Sequence, residues 1–360
     1  MENDKALRSW LDDFKLNHPL IIAGPCSAET EEQVLAIAHQ LKKTKTTILR
    51  AGIWKPRTRP GNFEGVGENG LKWLKRAKEE TGLLTATEVA NPAHVDLALK
   101  YEVDVLWIGA RTTVSPFIVQ ELADALRGVN KIVLVKNPVN PDLALWIGAI
   151  ERFHTANIKK LGAIHRGFSS YEKLLYRNNP EWQIPIDLQT RFPDLPLFID
   201  PSHIAGDRKL ISRLCQTALD LNYDGMMVEV HNNPDEAWSD AEQQITPENF
   251  VQMLSDLKRR NKGVNNIASF NELKNLRSKI DLTDDALIDL LAKRMKIAEE
   301  IGKVKKEQNV AIFQPERWRE IQEKMKLEGS QKGLGEEFIL QLCQAIHLES
   351  INHQKKVMNQ

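Results

Sequence analysis

Eight short apolar segments of this 360-residue sequence each lead into a residue with reactive chemistry. The segments are LIIAG, TTILRAG, LLTATEV, DVLWIGA, KIVLVKN, KLGAIHRG, LPLFIDPSH and GMMVEVH. The reactive residues at their ends are, in chain order, Cys26, Arg50, Glu88, Arg111, Lys136, Arg166, His203 and Glu229. A single charged residue after a strand is usually solvated, but reactive groups at all eight ends favour convergence on one site.

Part of this set has the composition of a metal site. Cys26, His203 and Glu229 offer sulfur, nitrogen and oxygen donors, and Asp240 in the loop after the last segment offers another oxygen. This borderline donor set predicts one divalent metal ion, Mn²⁺, Fe²⁺, Co²⁺ or Zn²⁺ rather than Mg²⁺. Asp235 and His231 are rival ligands in the same loop, and spacing does not choose between them and Asp240.

The remaining reactive groups are cationic. They are Arg50, Lys55, Arg57, Arg111, Lys136 and Arg166. A lone Arg or Lys in a loop is commonly solvated, but six converging cations in a chain of formal net charge +0 form a local cleft for anions. Because guanidinium groups bind phosphate and carboxylate bidentately, the cluster predicts a ligand with more than one anionic group.

The elements that must position these residues alternate between strand and helix. Eight apolar, β-branched segments separated by helical patterns predict a parallel sheet with crossover helices, and eight strands close a barrel. We therefore expect an α/β TIM (β/α)8 barrel over residues 1–262, with an open doubly wound sheet as the alternative. Reactive residues at the strand ends then share one rim, where such barrels place their active sites.

The rest of the chain reads as all helical. Loss of periodicity in NKGVNNIA predicts a linker, so the second domain is assigned to residues 263–360. One amphipathic pattern runs from about Ile267 to Gln308, Pro315 opens a second helix, and a third begins near Glu336. Because the long helix cannot bury its apolar stripe alone, we expect this domain to form a homodimer.

Composition excludes several classes of protein. The neutral net charge and 42% hydrophobic content give no sign of a nucleic-acid or membrane partner. The polar N-terminal segment lacks the apolar core of a signal peptide, and three scattered cysteines do not form a disulfide framework. These features predict a cytoplasmic protein.

The strand-end motifs resemble those of 3-deoxy-D-arabino-heptulosonate 7-phosphate (DAHP) synthases of the compact type shared with octulosonate 8-phosphate synthases. The matching motifs are GPCSAE, LRAGIWKPRTRP, TATE, IGARTT, VKNP, HRGFS, DPSH, VEVH and SDAEQQ. The resemblance implies condensation of phosphoenolpyruvate with erythrose 4-phosphate, the entry to the shikimate pathway. It selects Asp240 as the fourth metal ligand, with Cys26, His203 and Glu229. Thr58 in KPRT argues against an octulosonate synthase, the rival reading.

The resemblance also implies roles for the cations. Arg111, Arg166 and the Ala110 backbone would bind the phosphate of phosphoenolpyruvate. Arg50, Lys55 and Lys136 would lie near its carboxylate, and Arg57 and Thr58 would bind erythrose 4-phosphate. Lys55 could donate a proton to the forming alkoxide, while Glu88 either orients the water that adds at C2 or forms a structural ion pair with a neighbouring Arg.

The helical region resembles the all-helical (AroQ-type) chorismate mutases. LRSKIDLTDDALIDLLAKRMKIAEEIGKVK matches their first helix, and CQAIHLESINHQ matches the last. The resemblance implies conversion of chorismate to prephenate in a pocket lined by Arg294, Lys305, Arg317, Ser350 and Gln354, with Arg277 reaching in from the partner chain. Of these, Arg294, Lys305 and Gln354 would act on the reacting substrate.

Two positions depart from this pattern. Gln314 stands where an acidic residue is common, and Trp318 replaces a glutamate that contacts the substrate hydroxyl. The helical domain is therefore interpreted either as a mutase that also mediates feedback inhibition by prephenate or as a catalytically weak dimerisation and regulatory module. With about 18 residues before the first strand, feedback control is expected to act through this domain.

Overall fold

A computed structural model of the chain describes residues 6–55, 61, 63–171, 175–260 and 267–359. By its internal contacts the chain divides into two compact units, Met1–Lys262 and Gly263–Gln360. The first unit is an α/β barrel, and the described part of the second is helical.

The first unit contains a closed barrel of eight parallel strands in sequential order. The strands are β1 (Leu20–Gly24), β2 (Ile48–Arg50), β3 (Leu84–Val89), β4 (Val105–Ile108), β5 (Ile132–Lys136), β6 (Lys160–His165), β7 (Leu197–Ile199) and β8 (Gly225–Glu229). The barrel closes where β1 pairs with β8, in a register that sets Gly24 opposite Glu229. The predicted barrel is thus confirmed, and the open-sheet alternative is wrong.

Helices precede, connect and follow these strands. In this unit they are α1 (Ala6–Asp12), α2 (Glu31–Leu41), α3 (Glu68–Thr81), α4 (Pro92–Lys100), α5 (Ala110–Thr113), α6 (Pro116–Ala125), α7 (Leu143–Thr155), α8 (Gln183–Arg191), α9 (Pro201–Ala205), α10 (Ile211–Asp220) and α11 (Pro247–Asp256). Short 3-10 helices span Arg208–Leu210, Pro234–Glu236 and Ala241–Gln243. Three of these helices are capped at the N-terminus by a side chain that accepts a hydrogen bond from a backbone N–H of the first turn. The caps are Thr30 for α2, Asn91 for α4 and Asp142 for α7.

Two layers of apolar side chains stabilise the barrel. Strand residues that point outward, such as Leu49 and Val135, are buried beneath the surrounding helices. Residues that point inward, such as Ile22 and Leu134, fill the barrel interior. Each fully buried side chain of this size contributes about 2 kcal/mol. Trp10 of α1 lies against this inner core, stacking on Phe198 at 6.1 Å between ring centroids.

The second unit consists of α12 (Ile267–Glu307), α13 (Pro315–Gln331) and α14 (Glu336–Met358). Helix α12 packs on α14 at Gly302, where an added Cβ would lie 3.1 Å from Gln354 Cα. Much of the apolar stripe of α12 stays exposed in the single chain: Phe270, Leu273, Leu276, Ile280, Leu287, Ile301 and Val304. Among the described helices of both units, none has the length and apolar character that a membrane crossing requires.

Candidate active sites

At the C-terminal ends of the strands, buried charged side chains in contact with one another form a layer of the barrel interior. Arg50 Nη1 lies 3.1 Å from Glu229 Oε1, and Lys136 Nζ lies 2.7 Å from Asp200 Oδ2. All four residues are at most 4% exposed. Charges this deep are tolerated only in pairs, so burial and pairing together fix these side chains in place.

Trp107 of β4 contacts both of these cations through its ring. Its ring centroid is 4.9 Å from Arg50 Cζ and 5.6 Å from Lys136 Nζ, and its Nε1–H donates to Glu88 Oε2 at 2.9 Å. Glu88 therefore binds an indole in this structure. Neither of the two predicted roles for Glu88, water orientation or an ion pair with an arginine, is tested by that contact.

The four predicted metal ligands and Lys55 meet in pairs. The Cys26 thiol donates to Asp240 Oδ2 at 3.2 Å and accepts a hydrogen bond from Lys55 Nζ at 2.9 Å. Across the site, His203 Nδ1 lies 3.7 Å from Glu229 Oε1. Asp240 has a left-handed backbone conformation with φ of 49°. Strain of this kind in a non-glycine residue is commonly found at functional positions.

Asp200 fixes one of these ligands. Its carboxylate lies 2.8 Å from His203 Nδ1 and also caps α9 by accepting a hydrogen bond from the His203 backbone N–H. A ring nitrogen held by a carboxylate leaves Nε2 as the nitrogen that can face a cation. Within the described ranges, however, no group of three His, Cys, Asp or Glu side chains has the geometry to hold a metal ion.

The two rival ligands have other partners. Asp235 pairs with Arg208 at 2.8 Å and is largely exposed. His231 Nε2 lies 3.4 Å from Glu29 Oε2, and its Nδ1 accepts a hydrogen bond from the Asn233 backbone. Asp240 is therefore the member of this loop that lies against Cys26.

Burial and neighbouring charge shift the pKa values of this group. Burial, with Glu229 nearby, raises the pKa of the Cys26 thiol to about 12. Burial also opposes ionisation of Asp240, but His203 and Lys55 more than offset it and lower the pKa of that carboxyl. The pKa of Lys55 is raised, because the attraction of Cys26 and Glu229 outweighs the opposing effect of burial. Lys55 thus carries a positive charge among the candidate ligands.

A second cationic group follows β4 and β6. Burial, together with the nearby Arg177 and Arg111, lowers the pKa of Arg166 to about 10. Arg166 Nη1 donates to Asn178 Oδ1 at 2.9 Å. Ala110 is the first residue of α5, where backbone N–H groups point out of the helix. Three like charges close together favour an anion between them. Arg57 and Thr58 lie outside the described residues.

In the helical unit, part of the predicted pocket is assembled. The Arg294 guanidinium on α12 donates to Ser350 Oγ on α14. Lys305 Nζ donates to the Ile312 carbonyl at 2.6 Å. Gln354 is buried, and its Oε1 accepts no hydrogen bond from any described residue. An unpaired buried acceptor of this kind is costly unless a ligand supplies a donor.

The other two arginines of the predicted pocket are exposed, and the two positions that depart from the usual sequence pattern have partners of their own. Arg317 is exposed and pairs with Glu320 at 2.7 Å, and Arg277 lies on the exposed first half of α12. Trp318 stacks on His347, with ring centroids 4.0 Å apart. The backbone carbonyl of Gln314 accepts a hydrogen bond from the Trp318 N–H at 3.1 Å.

Sequence reasoning missed two residues that touch the predicted groups. The signal for Asp200 was its position in DPSH, where an acidic residue ends a strand. The interpretation of that motif rested on His203 alone. Trp107 gave no signal, because a tryptophan inside the apolar run VLWI is ordinarily a core residue.

The sequence model described as the DAHP synthetase I family matches residues 15–265, and that of chorismate mutase type II matches residues 276–355. A phospho-2-dehydro-3-deoxyheptonate aldolase of Thermotoga maritima is 31% identical over 251 residues, covering 69% of this chain and 72% of that protein. A 2-dehydro-3-deoxyphosphooctonate aldolase of Syntrophotalea carbinolica is 26% identical and covers 68% of this chain and 91% of its own length.

Solved structures agree with these matches. The crystal structure of the Thermotoga maritima DAHP synthase superposes with a TM-score of 0.60 at 30% identity, covering 66% of this chain and 67% of that one. A truncated form of the Thermotoga enzyme gives a TM-score of 0.57 at 28% identity, covering 66% and 84%. The chain therefore belongs to the DAHP synthetase I family and carries a chorismate mutase type II domain after its barrel.

Proposed function

We propose that the barrel condenses phosphoenolpyruvate with D-erythrose 4-phosphate to DAHP and phosphate. One observation carries the proposal. Arg50 is 1% exposed; its Nη1 forms an ion pair with Glu229, but neither Nη1 nor Nε donates a well-aligned hydrogen bond to any residue that the structure describes. Buried guanidinium N–H groups that donate no hydrogen bond favour an additional anionic ligand, and Lys136 and the Arg111–Arg166 pair extend the same cleft.

In this proposal the substrate anions are divided between the two cationic groups. Arg50, Lys55 and Lys136 bind the carboxylate of phosphoenolpyruvate, while Arg111, Arg166 and the Ala110 backbone N–H bind its phosphate. The spacing of the two groups then orients C3 of phosphoenolpyruvate toward the aldehyde carbon of erythrose 4-phosphate. Fixed donors of this kind contribute to catalysis by orientation and by stabilising charge.

The proposal includes one divalent metal ion, Mn²⁺, Fe²⁺, Co²⁺ or Zn²⁺, held by Cys26, His203, Glu229 and Asp240. The donors suit it chemically: apart from its ion pair with Arg50, the buried Glu229 Oε1 accepts no well-aligned hydrogen bond from the described residues, and the Cys26 thiol already contacts Asp240. When bound, such an ion supplies polarisation of the aldehyde oxygen. The Lys55 ammonium contacts the same thiol, so the two cations compete for it.

Protons are moved by the side chains of the chain. Lys55 Nζ donates a proton to the alkoxide formed as C3 attacks the aldehyde. Glu88, held by Trp107, then orients the water that adds at C2, after which phosphate leaves. Both side chains are half-buried, which limits the access of bulk water to them. Arg57 and Thr58 complete the proposal as ligands of erythrose 4-phosphate.

The test is phosphoenolpyruvate consumption with erythrose 4-phosphate, after EDTA treatment and after Mn²⁺ is added back. Wild type should lose activity and regain it, whereas Cys26→Ala should remain below about 1% of the wild-type rate. Cys215→Ala is the matched control, because Cys215 is equally buried but lies on α10 in the outer apolar layer. Activity that survives EDTA, or a fully active Cys26→Ala, contradicts the metal assignment. Arabinose 5-phosphate as a better acceptor contradicts the substrate assignment.

For the helical unit we propose conversion of chorismate to prephenate. Chorismate carries two carboxylates and rearranges without a nucleophile, so oriented cations and donors suffice. Arg294, Lys305, Ser350 and Gln354 provide that combination, and the unpartnered Gln354 Oε1 supports it. The alternative, a catalytically weak dimerisation and regulatory module, is favoured by Trp318, which cannot accept a hydrogen bond. Chorismate turnover by Arg294→Ala and wild type distinguishes the two proposals.

We further propose that the chain forms a homodimer through α12, with Arg277 completing the partner's pocket, and that prephenate inhibits the barrel through this unit. The exposed apolar stripe of α12 supports the dimer, because a contiguous surface of leucine and isoleucine is rarely left in water. Light scattering of wild type and Ile280→Asp tests it. A monomeric wild type contradicts the proposal.

A further inference from the structure

We propose that Trp107 is a positioning residue of the barrel site, holding Arg50 and Lys136 ready for an anion while its indole N–H orients Glu88. The inference rests on the proposed function of the barrel and deepens it. It assigns a role in substrate binding to a side chain of the β4 apolar run.

The first support is the arrangement of charge around Trp107. Each cation meets a carboxylate on one side, Glu229 for Arg50 and Asp200 for Lys136, and the face of Trp107 on another. An aromatic face attracts cations without carrying a charge of its own. Trp107 therefore holds two like-charged groups near each other and leaves their positive charge available to a substrate carboxylate.

The second support is what other residues would do at this place. A carboxylate would neutralise the cations and compete with the substrate. An aliphatic side chain would leave two buried cations without an attractive partner on this side, which burial makes costly. Trp107 is 1% exposed, so its interaction with both cations is shielded from water. Cation–π attraction is strongest in such desolvated sites.

The third support is the hydrogen bond to Glu88. Trp107 Nε1 is 2.9 Å from Glu88 Oε2, and indole N–H groups donate only. The other carboxylate oxygen of Glu88 lies in the space left by the missing side chain of Gly109, where an added Cβ would be 2.1 Å from it. The ring and the N–H of Trp107 therefore act on different partners, and substitutions can separate the two effects.

The experiment compares Trp107→Leu and Trp107→Phe with Phe198→Leu as control. Phe198 lies in the same interior core and stacks on Trp10 instead of the cations. Trp107→Leu should raise the KM for phosphoenolpyruvate about tenfold with the KM for erythrose 4-phosphate changed less than about twofold. Trp107→Phe keeps a ring but loses the donor, so kcat should fall about tenfold while KM changes less than about threefold.

A purely structural role is distinguished by fluorination. Biosynthetic replacement of the eight tryptophans by 5-fluorotryptophan weakens cation–π attraction without changing side-chain shape. The KM for phosphoenolpyruvate should rise in labelled wild type and stay unchanged by labelling in Trp107→Phe. This arm holds even if Trp107→Leu fails to fold.

Three results would overturn the inference. They are an unchanged KM in both Trp107→Leu and labelled wild type, an equal rise in KM in Phe198→Leu, and an equal effect of labelling in Trp107→Phe. An unchanged kcat in Trp107→Phe overturns the Glu88 part alone. Calorimetric titration with phosphoenolpyruvate distinguishes failure of this inference from failure of the proposed function. Wild type that neither binds nor consumes phosphoenolpyruvate overturns the proposed function together with this inference.

Discussion

Asp200 shows how one buried residue serves several neighbours in this barrel. Its carboxylate binds Lys136 and His203 and caps α9, so its removal would affect both candidate groups at once. Burial opposes its ionisation, but His203 and Lys136 hold the pKa of Asp200 well below its usual range. A buried acid that remains ionised in this way keeps His203 oriented through its Nδ1.

A second buried residue, His165, gives a prediction about pH. Its Nε2–H donates to the Pro180 carbonyl at 2.7 Å, and its Nδ1 accepts a hydrogen bond from the Tyr223 hydroxyl at 3.1 Å. Burial lowers its pKa from 6.5 to about 4, and Arg166 adds to the effect. Since the unfolded chain binds a proton more readily, the contribution of His165 to stability is complete above pH 6.5 and lost as pH falls toward about 4.

We expect this contribution to approach about 3 kcal/mol, the free energy of the pKa difference. Thermal unfolding of wild type and His165→Asn between pH 7.5 and 4.5 measures it. The variant should be less stable at pH 7.5 and lose less stability on acidification. Curves that stay parallel across this window would show that His165 does not titrate between the folded and unfolded states.

The sequence allowed only part of this picture at the level of residues. Charged groups at strand ends stand out, because each follows an apolar run and the barrel must bring the ends together. Contacts such as Trp107 with Arg50, or Asp200 with Lys136, depend on which strands are neighbours across the interior. One-dimensional spacing does not contain that information.

At the scale of elements, the junction between β4 and α5 leaves no room beside Glu88. Gly109 has φ of −70° and ψ of 155°, a conformation that any residue adopts. The obstacle to a side chain is therefore steric alone, since an added Cβ would lie 2.1 Å from Glu88 Oε1. Because the clashing atom ends a flexible side chain, the carboxylate would move while the backbone stays in place.

Gly109→Ala should consequently reduce kcat of the synthase about tenfold. The displaced Glu88 carboxylate loses its hydrogen bond from Trp107 and is no longer held in position. Its melting temperature should change little. Gly148→Ala in α7 is the control, because an added Cβ there meets no atom within 4 Å. It should keep full activity and gain about 0.5–1 kcal/mol of stability from the helix interior. Wild-type kcat in Gly109→Ala would show that the position of Glu88 is unimportant.

Element boundaries were more predictable than element packing. The prediction of a helix from about Ile267 to Gln308 compares with Ile267–Glu307 in the structure, and Pro315 and Glu336 begin α13 and α14 as expected. Proline at a first helical turn and the glycines of GSQKGLG mark such ends locally. The stacking of Trp318 on His347 joins α13 to α14 and could not be read from either helix alone.

At the scale of the whole molecule, two units with separate proposed sites lie on one chain, and we propose that the product of one controls the other. Prephenate, the proposed product of the helical unit, carries the same two carboxylates as chorismate and should bind the same cations. Control of the barrel by prephenate then requires that prephenate bind the helical pocket with a different free energy when the barrel is active and when it is inactive.

Arg294 and Lys303 make a matched pair for testing this idea. Nine residues on α12 separate them, which is two and a half turns, so they lie on opposite faces. Arg294 contacts Ser350, whereas Lys303 is exposed. Neither lies in the barrel unit, so synthase activity without prephenate should be unchanged in both alanine variants.

Synthase activity titrated with prephenate should show inhibition in wild type and Lys303→Ala. In Arg294→Ala the inhibitory concentration should rise at least about tenfold, because a charged hydrogen bond to a carboxylate is lost. Chorismate turnover measured on the same preparations shows whether the pocket has been disabled. If Arg294→Ala loses mutase activity yet stays fully inhibited, prephenate acts elsewhere. If a chain ending at Lys262 is still inhibited, that place is the barrel itself, and the helical unit has no part in the control.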